Sequence, residues 1–364
     1  MSGHVAVIGV GLIGGSIGRA LVRSGRHVVG FDRDRERLAA AVDGGAVTTA
    51  ASSLADAARD AEVVLVAVPV GAIPAVVIEA LDVGARVVTD VGSVKASVVK
   101  TVEEARPETA PRFVGGHPMA GSEQEGLEGG DAELFQGATW VLTPTRTTDP
   151  EAFARVQSLV RSLGAEVVAI DAANHDVMVA VVSHVPHLAA GTLMLLASEQ
   201  AGEAHGPLLQ LAAGGFRDMT RIAAGHAGIW PDICAENRDA IVATLDQYVR
   251  ALQDVRDRVA TGDRSGLLES LERAREARTN LPIAGLEEGP FVEVRVPVPD
   301  RPGVLAEVTT LAGQLGVNIA DLEIAHSIEG REGVLVMVVP ERGAEEFEGG
   351  LERLGYRSSR RPVE

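Results

Sequence analysis

Short β-branched runs alternate with amphipathic stretches through the first half of the chain. "HVAVI" from His4, "HVVGFD" from His27, "AEVVLVAVP" from Ala61 and "ARVVTDVGS" from Ala85 read as strands, with helical periodicity between them. The runs are almost continuously apolar rather than alternating, which predicts strands covered on both faces: βαβ units around a parallel sheet. "ATWVLTP" and "AEVVAID" add two more strands, so the first domain is expected to cover residues 1–172.

From 173 to 282 the strand pattern stops and helical periodicity takes over. Ile241, Leu245, Tyr248, Leu252, Val255 and Val259 recur at steps of four and three, one apolar face of a long helix. That face fits packing within the chain or a helical dimer seam, and the pattern is the same for both. "LPIAGLEEGP", from Leu281, breaks the helical pattern and reads as a linker. In residues 290–364, "FVEVRVPV" alternates as a half-buried strand, and "GVLAEVTTLAGQLG" reads as a helix. "NIADLEIAHS" and "GVLVMVVP" are strands and "AEEFEGGLERLG" a second helix, with a last short strand near Tyr356. The order βαββαβ predicts a small α+β sandwich.

Composition narrows the function classes. The 364 residues are 46% apolar and 23% charged, enough to bury several cores. A net charge of −18 argues against a surface that grips nucleic acid or an anionic membrane, though a small anionic substrate needs only local positive charge. The single cysteine, Cys234, fits a reducing compartment, and the N-terminus lacks a signal-peptide pattern. No apolar run long enough to span a bilayer is expected, which makes a cytoplasmic protein the default.

The candidate chemistry lies at strand ends. Gly9, Gly11 and Gly14 form GxGxxG between a strand and a helix, with Asp32 at the end of the next strand. Gly9 suits the tight turn, Gly11 the close approach of a pyrophosphate, and Gly14 close helix–sheet packing. Asp32 would bond ribose hydroxyls and favour NAD over NADP, although Arg33 beside it weakens that preference. These features make the first domain Rossmann-like, with Leu12, Ile13, Val68 and Asp90 as further cofactor neighbours. "TDVGSVK" sets Asp90, Ser93 and Lys95 at a strand's carboxyl end, as a ligand site or as an ordinary capped turn. "GGHPMAGSEQEG" holds His117 between glycines and Pro118 in what reads as a rigid loop, suited to an imidazole that accepts a proton. "SHVPH" puts His184 and His187 three apart on one helix, with Pro186 kinking or ending it. With no HExxH and no third ligand, a metal is not expected. Arg217, Asp218, Arg221 and Trp230 follow, as either a surface ion-pair patch or a carboxylate clamp.

"GVGLIGGSIG", "TDVGSVK", "GGHPMAGSE", "VVSHVPH" and "GGFRDMTRIA…W" together resemble the prephenate/arogenate dehydrogenases, in family order over residues 1 to about 280. "VPVPDRPGVLAEVTTLAGQLGVNIADLEI" resembles an ACT domain, a small regulatory module. The resemblance implies that His117 is the catalytic base and Ser93 its hydrogen-bonding partner. It also implies that His187, Arg221 and Trp230 contact the substrate and that Glu123 lies near the pocket mouth. It implies NAD-dependent oxidative decarboxylation of prephenate, or of arogenate, within tyrosine biosynthesis. A homodimer is implied too, with tyrosine as the effector of the C-terminal module, held by Asp300, Gly303 and Asn318, or with that module serving only to dimerise. Pro302 is expected in the first turn of the helix that follows. A β-hydroxyacid dehydrogenase would need a catalytic lysine in the helical domain, yet residues 174–280 contain none. A non-catalytic, amino-acid-sensing NAD-binding protein would not need His117, Ser93 and Arg221 together.

Overall fold

A computed structural model describes residues 3–121, 126–201, 214–280, 290–299, 301–326 and 332–362. The chain divides into two compact units between Ala251 and Leu252.

In the first unit eight strands build one sheet. They are β1 (Val5–Ile8), β2 (Val28–Phe31), β3 (Thr49–Ala50), β4 (Val63–Val66), β5 (Val88–Asp90), β6 (Phe113–Pro118), β7 (Thr139–Thr143) and β8 (Glu166–Ala169). Their spatial order is β3-β2-β1-β4-β5-β6-β7-β8, parallel except where β7 runs against β6. Alternate residues of β1 serve opposite layers, as the pleat requires. Val5 and Val7 pack with Ile17, Leu21 and Leu159, whereas Ala6 and Ile8 pack with Val77 and Val98. Both faces are buried, which explains the unbroken apolar runs.

Two strands were not expected. β3 is only two residues long, too short to leave a pattern. The other correction concerns β6: "GGHP" is the end of a buried strand, not a loop. A Cβ on Gly115 would lie 2.4 Å from Thr143 Oγ1, and one on Gly116 would lie 2.7 Å from the Asp90 carbonyl. The glycines therefore allow close packing around this strand, a role that composition alone makes look like a turn.

In the helical region a helix at Ala172–Val179 passes through a π turn, Ala180–His184, into a further helix at Val185–Ala201. Pro186 neither ends nor breaks this run; it falls at the start of the second helix, where a missing N–H is tolerated. The expectation of no membrane-length apolar run is corrected by the same continuity. Ala172–Glu199 is helical throughout, and its most apolar 18-residue window has a mean hydropathy of 1.6, enough by length and composition to cross a bilayer. Three buried polar side chains on it, His175, Asp176 and His184, belong to the site described below. The long helix Arg238–Thr261 follows, with Ile241 buried and Tyr248, Leu252, Val255 and Val259 exposed in the single chain.

In the second unit, β9 (Phe291–Pro299), β10 (Asp321–His326), β11 (Glu332–Pro340) and β12 (Ser359–Pro362) pair antiparallel in the order β10-β11-β9-β12. Val292, Val294, Val296 and Val298 alternate inward against Val308, Phe347 and Leu351 of two helices, Val304–Gln314 and Glu341–Arg353. Pro302 precedes the first of these helices instead of lying in its first turn. Gly303 supplies the turn at φ +92°, a conformation that disfavours any side chain.

Candidate active site

The strand order reverses between β1 and β4, and ligands of open α/β sheets bind beyond the carboxyl ends of strands at such a point. Gly9 follows β1 at φ +92°; a Cβ there would strike the Ala67 carbonyl at 2.4 Å and come within 3.1 Å of Val68. Gly14 is equally constrained, 2.0 Å from the Gly9 carbonyl. Gly11 differs, because a Cβ there would meet nothing within 4 Å. It opens the helix Leu12–Arg23 with no side-chain cap, leaving the amide end of Leu12 and Ile13 clear for an anion. Asp32 directly follows β2, anchored as its Oδ2 accepts from Val10 N at 2.9 Å and Oδ1 from Asp34 N at 2.9 Å. Arg37 approaches Asp32 to 3.8 Å, while Arg33 points into solvent. These residues fit a dinucleotide: open backbone for its phosphates, and a fixed carboxylate for a ribose.

Asp90, expected near the cofactor, turns its side chain into the fold. Its side chain is fully buried, ion-paired with the equally buried Lys95, and accepts from Gly92 N at 2.9 Å and Gly116 N at 3.1 Å. Lys95 Nζ donates onward to the Gly116 carbonyl at 2.9 Å. Asp90 and Lys95 thus clamp β6 immediately before His117. Burial pulls the Lys95 ammonium below its usual range, and Asp90 and Asp176 oppose that pull.

His117 is buried at the carboxyl end of β6. Its Nδ1 lies 2.8 Å from Nε2 of His175, and His175 Nδ1 lies 2.7 Å from Asp176 Oδ1. Neither His175 nor Asp176 was singled out in the sequence. Their one visible signal is an adjacent His–Asp pair in a helix rich in apolar residues, and the partner strand lies far away in the chain. Among the described contacts, none links Ser93, half-buried, to His117. Burial drives His117 well below the ordinary histidine range, and its neighbours His175, Lys95 and His184 push it the same way. The ring is therefore neutral at neutral pH, the form that can accept a proton.

Beyond His175 an aromatic group continues the site. His184 Nδ1 meets Asn237 Nδ2 at 3.2 Å, and Asn237 also donates to the Asp176 carbonyl at 2.8 Å. His184 sits edge-on to Trp230, and His187 stacks on the same ring at 3.7 Å between centroids. Arg221, exposed, begins a 3₁₀ turn whose Gly225 comes close to His187. Arg217 and Asp218 are exposed. Glu123 lies outside the described residues.

His184 gives a testable pH dependence. Burial pushes it down to about 4, with His175 adding to the shift and Asp176 opposing it. The folded value lies below the unfolded one of about 6.5. Stability from this group is therefore complete above pH 6.5 and is lost as pH falls toward 4, because the unfolded chain takes the proton first. His117 acts in the same direction. Thermal denaturation should show a falling midpoint between pH 7 and 5, and His184→Gln should flatten that slope. A wild-type midpoint independent of pH over that range would contradict the burial of both rings.

A reversed strand order beside a glycine turn, with a neutral imidazole nearby, is the arrangement of dinucleotide-binding dehydrogenases. Comparison with known proteins narrows that class. Residues 17–169 match the model for the prephenate dehydrogenase nucleotide-binding domain, 171–273 its dimerization domain, and 292–356 the ACT domain. Prephenate dehydrogenase of Bacillus subtilis is 33% identical over 342 residues, covering 92% of this chain and 91% of that protein. Cyclohexadienyl dehydrogenase of Zymomonas mobilis is 35% identical over 288 residues, 76% of this chain and 96% of that one. Among solved structures, prephenate dehydrogenase of A. aeolicus in complex with hydroxyphenyl propionate and NAD+ superposes with a TM-score of 0.71. It is 29% identical, and the match covers 78% of this chain and 99% of that one. The chain belongs to the prephenate dehydrogenase family.

Proposed function

We propose that the protein catalyses NAD-dependent oxidative decarboxylation of prephenate to 4-hydroxyphenylpyruvate, as a soluble enzyme of tyrosine biosynthesis. The observation that carries the reading is His117, buried, neutral and held through Nδ1, on the carboxyl edge of the sheet that carries the glycine turn. NAD+, when bound, takes up the hydride from the ring carbon that bears the hydroxyl. The chain's own work is orientation and proton transfer. His117 accepts the hydroxyl proton as the carbonyl forms, and loss of the ring carboxylate as carbon dioxide then makes the ring aromatic. Gly9, Gly11, Gly14, Leu12 and Ile13 receive the phosphates and Asp32 a ribose. Trp230, His187 and Arg221 line the substrate side, with Arg221 on a carboxylate. Ser93 and Glu123 are proposed neighbours of the same site.

The direct test supplies the purified protein with NAD+ or NADP+ and prephenate or arogenate, and follows nicotinamide reduction. Fastest reduction with prephenate and NAD+ supports the reading; preference for arogenate moves the activity to the amino-acid analogue. Arg221→Gln should raise KM for prephenate about ten- to a hundred-fold, the equivalent of one hydrogen-bonded charge contact. An unchanged KM would return Arg221 to the surface.

The exposed apolar seam Tyr248, Leu252, Val255 and Val259, together with exposed Val181, Val182, Leu195 and Leu196, supports a homodimer formed through the helical region. In the ACT domain an open cavity of about 200 Å³ is lined by Pro299, Arg301, Gly303, Leu305, Ile324 and Leu335. Its composition suits an amino acid, and we assign tyrosine as the effector. Asn318 is exposed in the segment before β10, and Asp300 lies outside the described residues. Calorimetric titration of tyrosine against the full chain and a chain ending at 289 tests the assignment. Equal binding by both would remove it.

A further inference from the structure

We propose that His175 and Asp176 are positioning residues that hold His117 in the tautomer with a proton on Nδ1 and a bare Nε2. This rests on the reading of His117 as the proton acceptor, and it concerns which ring nitrogen is able to accept.

The direction of each hydrogen bond follows from Asp176 outward. Its Oδ1 accepts from Lys95 N and its Oδ2 from Ala96 N, both at 2.8 Å. These amides stand at the start of the helix Ala96–Ala105, so the carboxylate sits against the positive end of that helix. A carboxylate so placed can only accept, and therefore His175 Nδ1, 2.7 Å away, must carry the proton it donates. His175 is fully buried. With one proton on the ring, at Nδ1, Nε2 of His175 is an acceptor, and the donor that faces it at 2.8 Å among the described residues is His117 Nδ1. One tautomer of His117 satisfies the whole chain. Its Nε2 keeps a lone pair.

The alternative tautomer would set two lone pairs against each other at 2.8 Å and put a proton on the nitrogen that must receive one. The logic is that of an acid orienting a base, extended by one imidazole. The two rings meet edge to face, 79° apart, so the contact is through the nitrogen and not through stacking. The chain also joins distant parts of the sequence. Asp176 fixes the turn that bears Lys95, Lys95 holds the Gly116 carbonyl, and His175 holds the ring of the next residue, His117.

The test uses the full chain labelled with ¹⁵N-histidine and long-range ¹H–¹⁵N correlation, with His117 assigned by its loss in His117→Asn. The expected spectrum shows His117 protonated at Nδ1 and bare at Nε2 in the free enzyme at neutral pH. His175→Phe should shift that tautomer and lower kcat with prephenate and NAD+ by about 10²-fold or more. KM should change less than about three-fold, because the residue touches no substrate. His175→Gln, whose carboxamide again offers one acceptor and one donor, should restore the tautomer and much of the turnover. A wild-type His117 protonated at Nε2 overturns the proposal, even if His175→Phe does not fold. So does a kcat loss in His175→Phe with the tautomer unchanged. Full turnover in His117→Asn would instead sink the reading of His117 itself, whatever its tautomer.

Discussion

His117→Asn is expected to lower turnover about 10²–10⁴-fold, the usual contribution of a general base, while the protein folds and binds NAD+ as before. Asparagine is similar in size, and its amide can replace Nδ1–H as donor to His175, so the buried packing survives. What it lacks is a basic nitrogen. The depressed proton affinity of His117 keeps the wild-type ring in its accepting form well below pH 6.5. The acid limb of kcat/KM should therefore lie lower than an ordinary histidine would place it. Quenching of tryptophan emission by NAD+ and steady-state rates at saturating prephenate would separate binding from turnover. Near-wild-type turnover would remove His117 from the mechanism.

Lys95→Met carries the largest expected cost to stability. Both side chains of the Asp90–Lys95 pair are completely buried, and removing the ammonium leaves the carboxylate with the backbone donors Gly92 N and Gly116 N among the described residues. Breaking such a pair from one side costs about 3–5 kcal/mol. In a unit of this size that should lower the thermal midpoint by roughly 6–20 °C. Asp90→Asn combined with Lys95→Met should be milder than Lys95→Met alone, since no unpaired charge remains. Turnover should also drop in the single variant, because Lys95 holds the Gly116 carbonyl immediately before His117. A midpoint within about 1 °C of wild type would mean that the pair is not buried as described.

The dinucleotide-binding half was legible because its signals are local. Gly9, Gly11, Gly14 and Asp32 follow strands whose apolar runs are dense enough to read, and their backbone needs are met within a few residues. The helical region and the βαββαβ module were legible from periodicity for the same reason. What could not be read depends on contacts between distant segments. "GGHP" looks like a loop until β5 and β7 are placed beside it, when the glycines prove to admit the Asp90 carbonyl and Thr143. Pro186 looks like a helix end until the π turn before it shows where the missing donor falls. The buried pairing of Asp90 with Lys95 likewise shows only once the turn between them is folded. His175 and Asp176 carry no motif of their own. Their meaning comes from Lys95, Ala96 and His117, which the fold alone brings to them.

Carbon dioxide release measured alongside nicotinamide reduction tests the central claim most directly. With purified protein, prephenate and NAD+, one molecule of carbon dioxide should appear for each NADH formed, with 4-hydroxyphenylpyruvate as the product. Reduction without carbon dioxide, or no reduction with either prephenate or arogenate, would contradict the account.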